Sequence, residues 1–388
     1  MLLIKNVDVF DPEFLGKKNI FICFDKIAYI SKSISIPSRN FPEVKILDGT
    51  GLKAVPGLID LHVHINGGGG EGGFKNRTPE LNLTDLTSNG VTTCVGLLGT
   101  DGITRNMGGL LAKAKALQSE GITTYCWTGC YDVPTRTLTN SVRSDIVTID
   151  KIIGAGEIAV SDHRGSHPSD EDLIHLACET RVGGLISGKC GVLHMHMGDG
   201  KKGLTPVFDI VEDSDMPFEN LLPTHLNRNK LLSGQCIEYL KMGGFIDITT
   251  GIKNEGDDAV SSSQLYQSIL KENISPYHIT MSSDAGGSMP FFDKNGKLTK
   301  LTRGMPSTDM DSIRESIESG VPMELALIPL TASPARFLKF PGKGKIAEGC
   351  DADLILLDDK LNINTVVSRG KIMVQNYKPT VYGTFENK

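Results

Sequence analysis

The stretch LIDLHVHINGGGGEGG (residues 58–73) places His62 and His64 at the end of an apolar run and follows them with four consecutive glycines. Strand side chains alternate between two faces, so both imidazoles of an H-x-H pair on a strand point the same way. Residues 67–70 can bring the backbone against a ligand, with Glu71 at the tip of the loop. Taken alone, the histidine pair is more often two ordinary polar residues and the glycines a flexible turn. The stretch therefore predicts a strand that ends near a site and leaves the kind of site open.

The rhythm of a short apolar strand followed by a helical segment recurs through the middle of the chain. Eight candidate strands follow from it: 58–63, 91–97, 123–129, 157–161, 192–197, 221–225, 244–249 and 278–283. Eight strand–helix units predict an α/β fold, a (β/α)8 TIM barrel, whose catalytic groups lie at the carboxyl ends of the strands.

Both ends of the chain are rich in short strands separated by turn residues. A chain of 388 residues exceeds the usual size of one domain. We expect residues 1–55 and 342–388 to build one small β-sandwich domain, and residues 56–341 to form the barrel.

Composition excludes some functional classes. The chain carries 46 acidic and 40 basic side chains, a net charge of −6, and the basic residues are dispersed, so nucleic acid is not an expected partner. No apolar run of membrane-spanning length or leader-like start is found, which predicts a cytoplasmic protein without a membrane partner. The eight cysteines form no C-x-x-C pair, and we expect reduced thiols rather than a cysteine zinc site.

Histidines and carboxylates recur at the ends of the candidate strands, although the chain has only nine histidines. These residues are His62 and His64 at the end of the first candidate strand, Glu157 at the start of the fourth with the Asp162-His163-Arg164 segment just past its end, His194 and His196 on the fifth, His225 with Arg228 at the end of the sixth, and Asp284 at the end of the eighth. Because these strand ends meet at one mouth of a barrel, the constellation predicts a metal-dependent active site.

Several segments together resemble the isoaspartyl dipeptidase (β-aspartyl peptidase) family of the amidohydrolase superfamily. They are PGLIDLHVHINGGGGEGG, CVGLLGTDGITR, SDHRG, HMGDGKK, LPTHLNRN, DITT and SSDAGGSMPFFDKNG. The resemblance covers nearly the whole chain, and it implies an amidohydrolase-type barrel and hydrolysis of dipeptides linked through an aspartyl β-carboxyl group.

The resemblance also implies a centre of two divalent metal ions, with zinc as the expected metal and a hydroxide between them. The implied ligands are His62, His64 and Asp284 for one ion, and His196 and His225 for the second. Asp284 would also serve as general base and acid, and Tyr131 would donate a hydrogen bond to the carbonyl oxygen during attack.

Substrate recognition follows from the same resemblance. Arg164 and Arg228 would bind the carboxylates of the dipeptide, since a guanidinium suits bidentate contacts. Glu71 would meet the free α-amino group and Ser288 a carboxylate, while the backbone at Gly70 would approach the substrate. The family forms assemblies, so a homo-oligomer is expected.

One position departs from the family pattern. A carboxylated lysine bridges both metals in that pattern, whereas IIGAGEIAVSDHRG (residues 152–165) has Glu157 there and one extra residue before it. Glutamate offers two oxygens but is shorter by about 3–4 Å. We expect Glu157 to bridge the metals in place of the carboxylated lysine, either because the strand moves inward, helped by the extra residue and Gly156, or because the site is reorganised.

Alternatives remain open. His194 shares a face with His196 but is not matched by the motif, which predicts a place in the barrel interior or behind the metal ligands; the other unmatched histidines, His163, His167, His175 and His278, are expected to be structural or exposed. A different amidohydrolase substrate, such as a cyclic amide or an N-acyl amino acid, is a second interpretation. A non-catalytic assembly protein that has lost its metals is a third.

Overall fold

The computed structural model describes residues 1–35, 43–253, 258–292 and 297–387. The last four residues of SSDAGGSMPFFDKNG, 293–296, therefore lie outside the described part of the chain. The N-terminal segment forms five strands: β1 (Leu2–Phe10), β2 (Phe14–Cys23), β3 (Lys26–Ser31), β4 (Lys45–Asp48) and β5 (Lys53–Pro56). The inward residues of β1 and β2 are mostly branched and apolar, which suits a sheet with one buried face.

Eight parallel strands follow, close to the positions expected from the sequence. They are β6 (Leu58–Val63), β7 (Val91–Gly96), β8 (Thr123–Thr128), β9 (Ile152–Val160), β10 (Val192–Met197), β11 (Leu221–Thr224), β12 (Ile246–Thr249) and β13 (Ile279–Ser282). Strands β6 to β11 pair in chain order in one parallel sheet, and β12 pairs with β13. Nearly every residue in them is buried, as expected for parallel strands covered on both faces.

Polar contacts join the six-stranded sheet to the two-stranded one. After β11, the side chain of Asn227 donates to the carbonyl of Thr249 (2.9 Å) and accepts from its N–H (3.1 Å). After β13, the carbonyl of Ala285 accepts from the N–H of His64 (2.8 Å). The strand ends that carry the candidate site residues are thereby tied together.

A hairpin of β14 (Ser288–Phe292) and β15 (Leu298–Arg303) extends beyond β13, and the chain ends in β16 (Leu354–Leu357), β17 (Ile363–Ser368), β18 (Lys371–Gln375) and β19 (Lys378–Pro379). Strand β16 pairs antiparallel with β5, so both chain ends contribute to one nine-stranded sheet. The expected meeting of the two ends is seen; the sandwich form and the domain boundaries stay predictions.

The described part of the chain contains ten α-helices between these strands: α1 (Leu83–Thr87), α2 (Met107–Glu120), α3 (Val142–Thr148), α4 (Asp170–Ser187), α5 (Thr205–Glu212), α6 (Lys230–Lys241), α7 (Ser262–Lys271), α8 (Ser307–Glu318), α9 (Met323–Leu327) and α10 (Ala332–Phe337). Side-chain caps begin several of them; Ser169, for example, accepts from the N–H of Asp172 in a capping box at α4. No described helix combines the length and apolar character that crossing a bilayer requires.

Strand β9 begins earlier than expected and contains a β-bulge. Ala155 pairs with Leu193 and Ile158 with Met195, so two residues, Gly156 and Glu157, oppose the single residue between them on β10. A bulge re-aims a side chain, here that of Glu157. A Cβ at Gly156 would lie 2.6 Å from the carbonyl oxygen of His194, so only glycine permits this approach. The bulge lies at Gly156 and Glu157, close to the extra residue noticed in the sequence.

We expect Gly156→Ala to lower the free energy of unfolding by about 1–3 kcal/mol, because the new methyl group forces β9 away from β10. Gly234→Ala is the matched control: this exposed glycine of α6 has nothing within 4 Å of an added Cβ, so the change should raise stability by about 0.5–1 kcal/mol. Chemical denaturation of both variants measures the difference. Equal stability of Gly156→Ala and the native protein would contradict the argument.

Candidate active site

The carboxylate of Glu157 lies among four imidazoles that come from three other strands or their ends. Its Oε1 is 3.4 Å from His64 Nε2, on the chain just after β6. Its Oε2 is 3.0 Å from His196 Nδ1 on β10 and 3.4 Å from His62 Nε2 on β6. The same Oε2 is 3.5 Å from His225 Nε2, just after β11. Glu157 is 2% exposed, and its two oxygens face different imidazoles.

Asp284 completes the cluster from the end of β13. Its Oδ1 lies 3.1 Å from His64 Nε2 and 3.5 Å from His62 Nε2. Asp284 and His225 both adopt left-handed backbone conformations, with φ of 52° and 62°. Such conformations concentrate at functional sites, where the surrounding structure holds them.

The donor atoms of this cluster fit a divalent cation. His62 Nε2, His225 Nε2 and Asp284 Oδ1 are buried without a hydrogen-bond partner, which is costly unless something else satisfies them. Two groups of three residues each have ligand atoms that all lie within 4.8 Å of one another. The first group is His62, His64 and Asp284, and the second is His62, Glu157 and His225. Imidazole nitrogen and carboxylate oxygen are the usual donors to zinc.

The second of these groups differs from the expected pair of His196 and His225. His196 contacts Glu157 through Nδ1, but its Nε2 faces Asp162 Oδ2 at 3.0 Å. His196 therefore lies beside the group of His62, Glu157 and His225 and contacts its Glu157. His225 belongs to that group through its own contact with Glu157.

Electrostatics hold the acidic groups ionised. Burial opposes their charge, but His62 and His196 keep the pKa of Glu157 well below its usual range. Burial likewise disfavours a charged His62, yet the nearby carboxylates of Glu157 and Asp284 raise the pKa of His62 well above its ordinary value. The pKa of His64 is raised for the same reason. Protons and cations therefore compete for the same nitrogens.

A chain of hydrogen bonds orients His62. Its Nδ1 lies 2.8 Å from His194 Nε2, and His194 Nδ1 lies 3.1 Å from the carbonyl oxygen of Leu222. A carbonyl only accepts, so His194 Nδ1 carries the proton and its Nε2 accepts from His62 Nδ1–H. Burial, followed by the neighbouring His62, lowers the pKa of His194 to about 3, which keeps it neutral. In the neutral form of His62, Nε2 therefore carries the lone pair and faces Glu157 and Asp284.

Tyr131 stands over the cluster. Its hydroxyl lies 2.8 Å from His196 Nδ1, and the guanidinium of Arg164 lies 5.4 Å from its ring centre. Burial raises the pKa of Tyr131 well above its usual value, so the phenol keeps its proton and remains a hydrogen-bond donor.

Asp162, which the sequence places at a strand end without a role of its own, organises the arginines. Its carboxylate accepts from Arg164 Nε (3.0 Å) and Nη2 (2.7 Å) in a two-pronged contact, and Arg228 Nη1 is 4.0 Å away. Although burial opposes its charge, His196 and Arg164 hold the pKa of Asp162 far below its usual range. Only its place in the SDHRG motif could have signalled this role.

The glycine loop places Glu71 against three residues that line the cavity. Glu71 Oε2 accepts from Ser288 Oγ (2.8 Å), while its Oε1 faces Thr100 Oγ1 (3.2 Å) and Arg164 Nη1 (3.4 Å). Within the loop, Gly69 is among the residues that line the cavity and has a φ of 78°. Gly70 also has a positive φ, 113°, and precedes Glu71 in the chain.

These groups surround one cavity of about 1030 Å³. Its wall includes Glu157, Asp284, Tyr131, Arg164, Arg228 and Ser288, with Lys201, Met289 and Arg303 further out in the same lining. His194 lies deep behind the cluster, His278 stacks on Phe245, and His163, His167 and His175 are exposed. All eight cysteines are free, and five are buried.

Residues 236–373 match the model of the amidohydrolase family. The solved structure of the β-aspartyl dipeptidase of the thermophilic keratin degrader Fervidobacterium islandicum AW-1, in complex with a β-Asp-Leu dipeptide, is 44% identical, with a TM-score of 0.93 over 99% of this chain and 100% of that one. The chain belongs to the β-aspartyl dipeptidase family.

More distant amidohydrolases share the fold. A dihydroorotase of Pelotomaculum thermopropionicum is 22% identical over 415 residues, with 93% of this chain and 90% of its own length covered. A D-hydantoinase of Thermus sp. is 15% identical with a TM-score of 0.71, covering 99% of this chain and 98% of its own. Membership of the dipeptidase family rests on the 44% identity, since these lower values show the fold alone.

We expect His194→Phe to weaken zinc binding by about 10- to 100-fold, because His62 Nδ1–H loses its acceptor. The imidazole ring of His62 is then no longer held in its orientation. Phenylalanine preserves the stacking on Trp127, whose ring centre is 5.3 Å from that of His194. His194→Gln, which offers an acceptor oxygen, should restore most of the affinity. Competition with a chromogenic chelator measures it, and equal zinc affinity of His194→Phe and the native protein would refute this arrangement.

The raised pKa values of His62 and His64 also predict a pH effect. In the metal-free protein, their protonated forms contribute stability that is fully present below about pH 6.5 and is lost as pH rises through the raised folded-state values. Zinc must displace these protons, so the gain in Tm on adding zinc should grow as pH rises from about 6 to 8. A gain that shrinks over this range would contradict the assignment.

Proposed function

We propose that this chain hydrolyses β-aspartyl dipeptides with the aid of two divalent metal ions, expected to be zinc, at the mouth of a closed (β/α)8 barrel with a small β domain. The observation that carries the proposal is the Glu157 carboxylate among four imidazoles, inside a chain 44% identical to a dipeptidase complexed with β-Asp-Leu. A homo-oligomer in the cytoplasm belongs to the same proposal and rests on the resemblance of motifs.

The ligands in the proposal are His62, His64 and Asp284 for one ion, and His196 and His225 for the other, with Glu157 between them. When bound, such ions activate water near neutral pH and polarise the scissile carbonyl. Glu157 replaces the carboxylated lysine of the family pattern, and the bulge at Gly156 supports this because it turns the shorter side chain into the site.

The chain's own groups would then transfer protons and stabilise the negative charge that develops on the carbonyl oxygen. The Asp284 carboxylate, held ionised by its imidazole neighbours, takes a proton from the attacking water and passes it to the leaving amine. The Tyr131 hydroxyl, still protonated because burial raises its pKa, donates to the carbonyl oxygen as negative charge develops there.

Recognition of the dipeptide uses the charges of the cavity. Glu71 meets the α-amino group, and Ser288, already hydrogen-bonded to Glu71, contacts the adjoining carboxylate. Arg164 and Arg228 serve substrate carboxylates, and Asp162 holds Arg164 in position. The backbone before Glu71, at Gly70, is proposed to approach the substrate. A neutral cyclic amide would leave these charges without partners, which favours the dipeptide over that alternative.

Hydrolysis of β-aspartyl-leucine against α-aspartyl-leucine tests the proposal. The purified protein should cleave only the β isomer, lose that activity on chelation and regain it with zinc, because selectivity comes from the placed charges and turnover from the metal. Cleavage of neither isomer with metal bound would point to another amidohydrolase substrate. Cleavage of neither, with no metal bound, would favour the non-catalytic interpretation.

Glu157→Gln tests the bridging role. The amide has nearly the same shape but no charge, so metal content should fall below two ions per chain and turnover should fall by more than the ~10- to 100-fold typical of losing an outer partner. Metal analysis and kcat measure the two effects, with Glu179→Gln, a carboxylate on the outer helix α4, as the control. Two tightly held zinc ions and unchanged turnover would rule out Glu157 as the bridge.

A further inference from the structure

Arg303 is a cation of the cavity to which neither the family motifs nor the preceding argument assigns a task. It lies at the end of β15 and lines the cavity wall. Its Nε is buried and has no hydrogen-bond partner, and among the described residues no carboxylate forms an ion pair with its guanidinium. A buried guanidinium nitrogen without a partner points to a ligand that supplies one.

The hairpin register fixes which groups surround Arg303. It sits directly opposite Ser288 in the β14–β15 ladder. Opposed residues of an antiparallel pair lie on the same face with their Cβ atoms about 4.5–5.5 Å apart. Ser288 donates to Glu71 Oε2, so the register places Arg303 next to the residue that holds Glu71.

The arginines expected to bind carboxylates are placed differently. Arg164 is already held by Asp162 through Nε and Nη2, and its Nη1 faces Glu71 at 3.4 Å. Arg228 Nη1 and Arg164 Nη2 lie 3.3 and 3.0 Å from the same atom, His196 Nε2. Both guanidiniums therefore converge on one region, and they suit one carboxylate shared between them.

A β-aspartyl dipeptide carries two carboxylates at a distance from each other. One is the carboxyl terminus of the leaving residue; the other shares a carbon with the α-amino group, so that its oxygens lie about 3 Å from the amine nitrogen. If Glu71 meets the amine, the partner of the α-carboxylate must lie next to Glu71. Arg303 is the cation there whose charge is not already matched by a carboxylate.

We propose that Arg303 binds the α-carboxylate of the β-aspartyl residue and makes the site selective for β-aspartyl over β-alanyl compounds. The inference rests on the proposed function, because it takes the amine site at Glu71 as given. Arg164 and Arg228 are then free to share the carboxyl terminus of the leaving residue.

Two analogues of β-aspartyl-leucine separate the groups. β-Alanyl-leucine lacks only the α-carboxylate, and succinyl-leucine lacks only the α-amino group. For Arg303→Gln, kcat/KM for β-aspartyl-leucine should fall about tenfold to a hundredfold, the range for losing a hydrogen bond to a charged group. For β-alanyl-leucine, the value of kcat/KM or of the inhibition constant should stay within about twofold of that of the native protein. Inhibition by succinyl-leucine should weaken by the same factor as kcat/KM for β-aspartyl-leucine falls.

Controls keep the result interpretable. Lys201→Gln removes a positive charge from an exposed residue of the same cavity wall and should leave the ratio between the substrates unchanged. Arg303→Lys should restore part of the loss, and zinc content with Tm shows that each variant is folded. If β-alanyl-leucine binds too weakly to measure, the succinyl-leucine result decides.

Equal losses for β-aspartyl-leucine and β-alanyl-leucine, or no loss for either, would overturn the role of Arg303. Failure of the native protein to cleave β-aspartyl-leucine would instead overturn the proposed function. The assay of the native protein with β-aspartyl-leucine therefore distinguishes the two failures.

Discussion

The candidate site depends on one buried carboxylate, that of Glu157. An ionised carboxylate removed from water is stable only where opposing charges or donors surround it. Glu157 meets this condition because β6, β10 and β11 each bring an imidazole to it within 3.0 to 3.5 Å. Those strands lie with β9 in one parallel sheet. The order of the strands in this sheet therefore brings the imidazoles close to the charge of Glu157.

The carboxylate reaches this point through a local irregularity of the backbone. The bulge of β9 faces His194, and a Cβ at Gly156 would lie only 2.8 Å from the Cβ of His194. The same histidine accepts from His62 on its other side. His194 therefore takes part both in the close approach that aims Glu157 and in the hydrogen bond that orients His62. A change in either of these two contacts disturbs ligands on both sides of the cluster.

Much of this architecture could be predicted from the sequence, because parallel strands buried on both faces give short apolar runs, and His62, His64, His225 and Asp284 sit at their ends. The bulge could not be placed, since an extra residue in a strand leaves the hydrophobic pattern nearly unchanged. The hydrogen bond between His194 and His62 depends on strands far apart in the sequence, and no spacing rule reports it. Assigning the second metal to His196 and His225 from the motif missed the contact of His196 with Asp162.

Two charged groups of the site are held by other groups of the protein in this structure. Glu71 is held by Ser288, and Arg164 by Asp162, so both ions are fixed in position and lose little freedom when a ligand arrives. Under the proposed function, a ligand without an amine and a carboxylate on one carbon offers no partner to Glu71 and Arg303. Unpaired charges of this kind discriminate more strongly than added contacts do. The fold is shared with hydantoinase and dihydroorotase relatives; in the proposed function, the loop that bears Glu71 and the hairpin that bears Arg303 supply the discrimination.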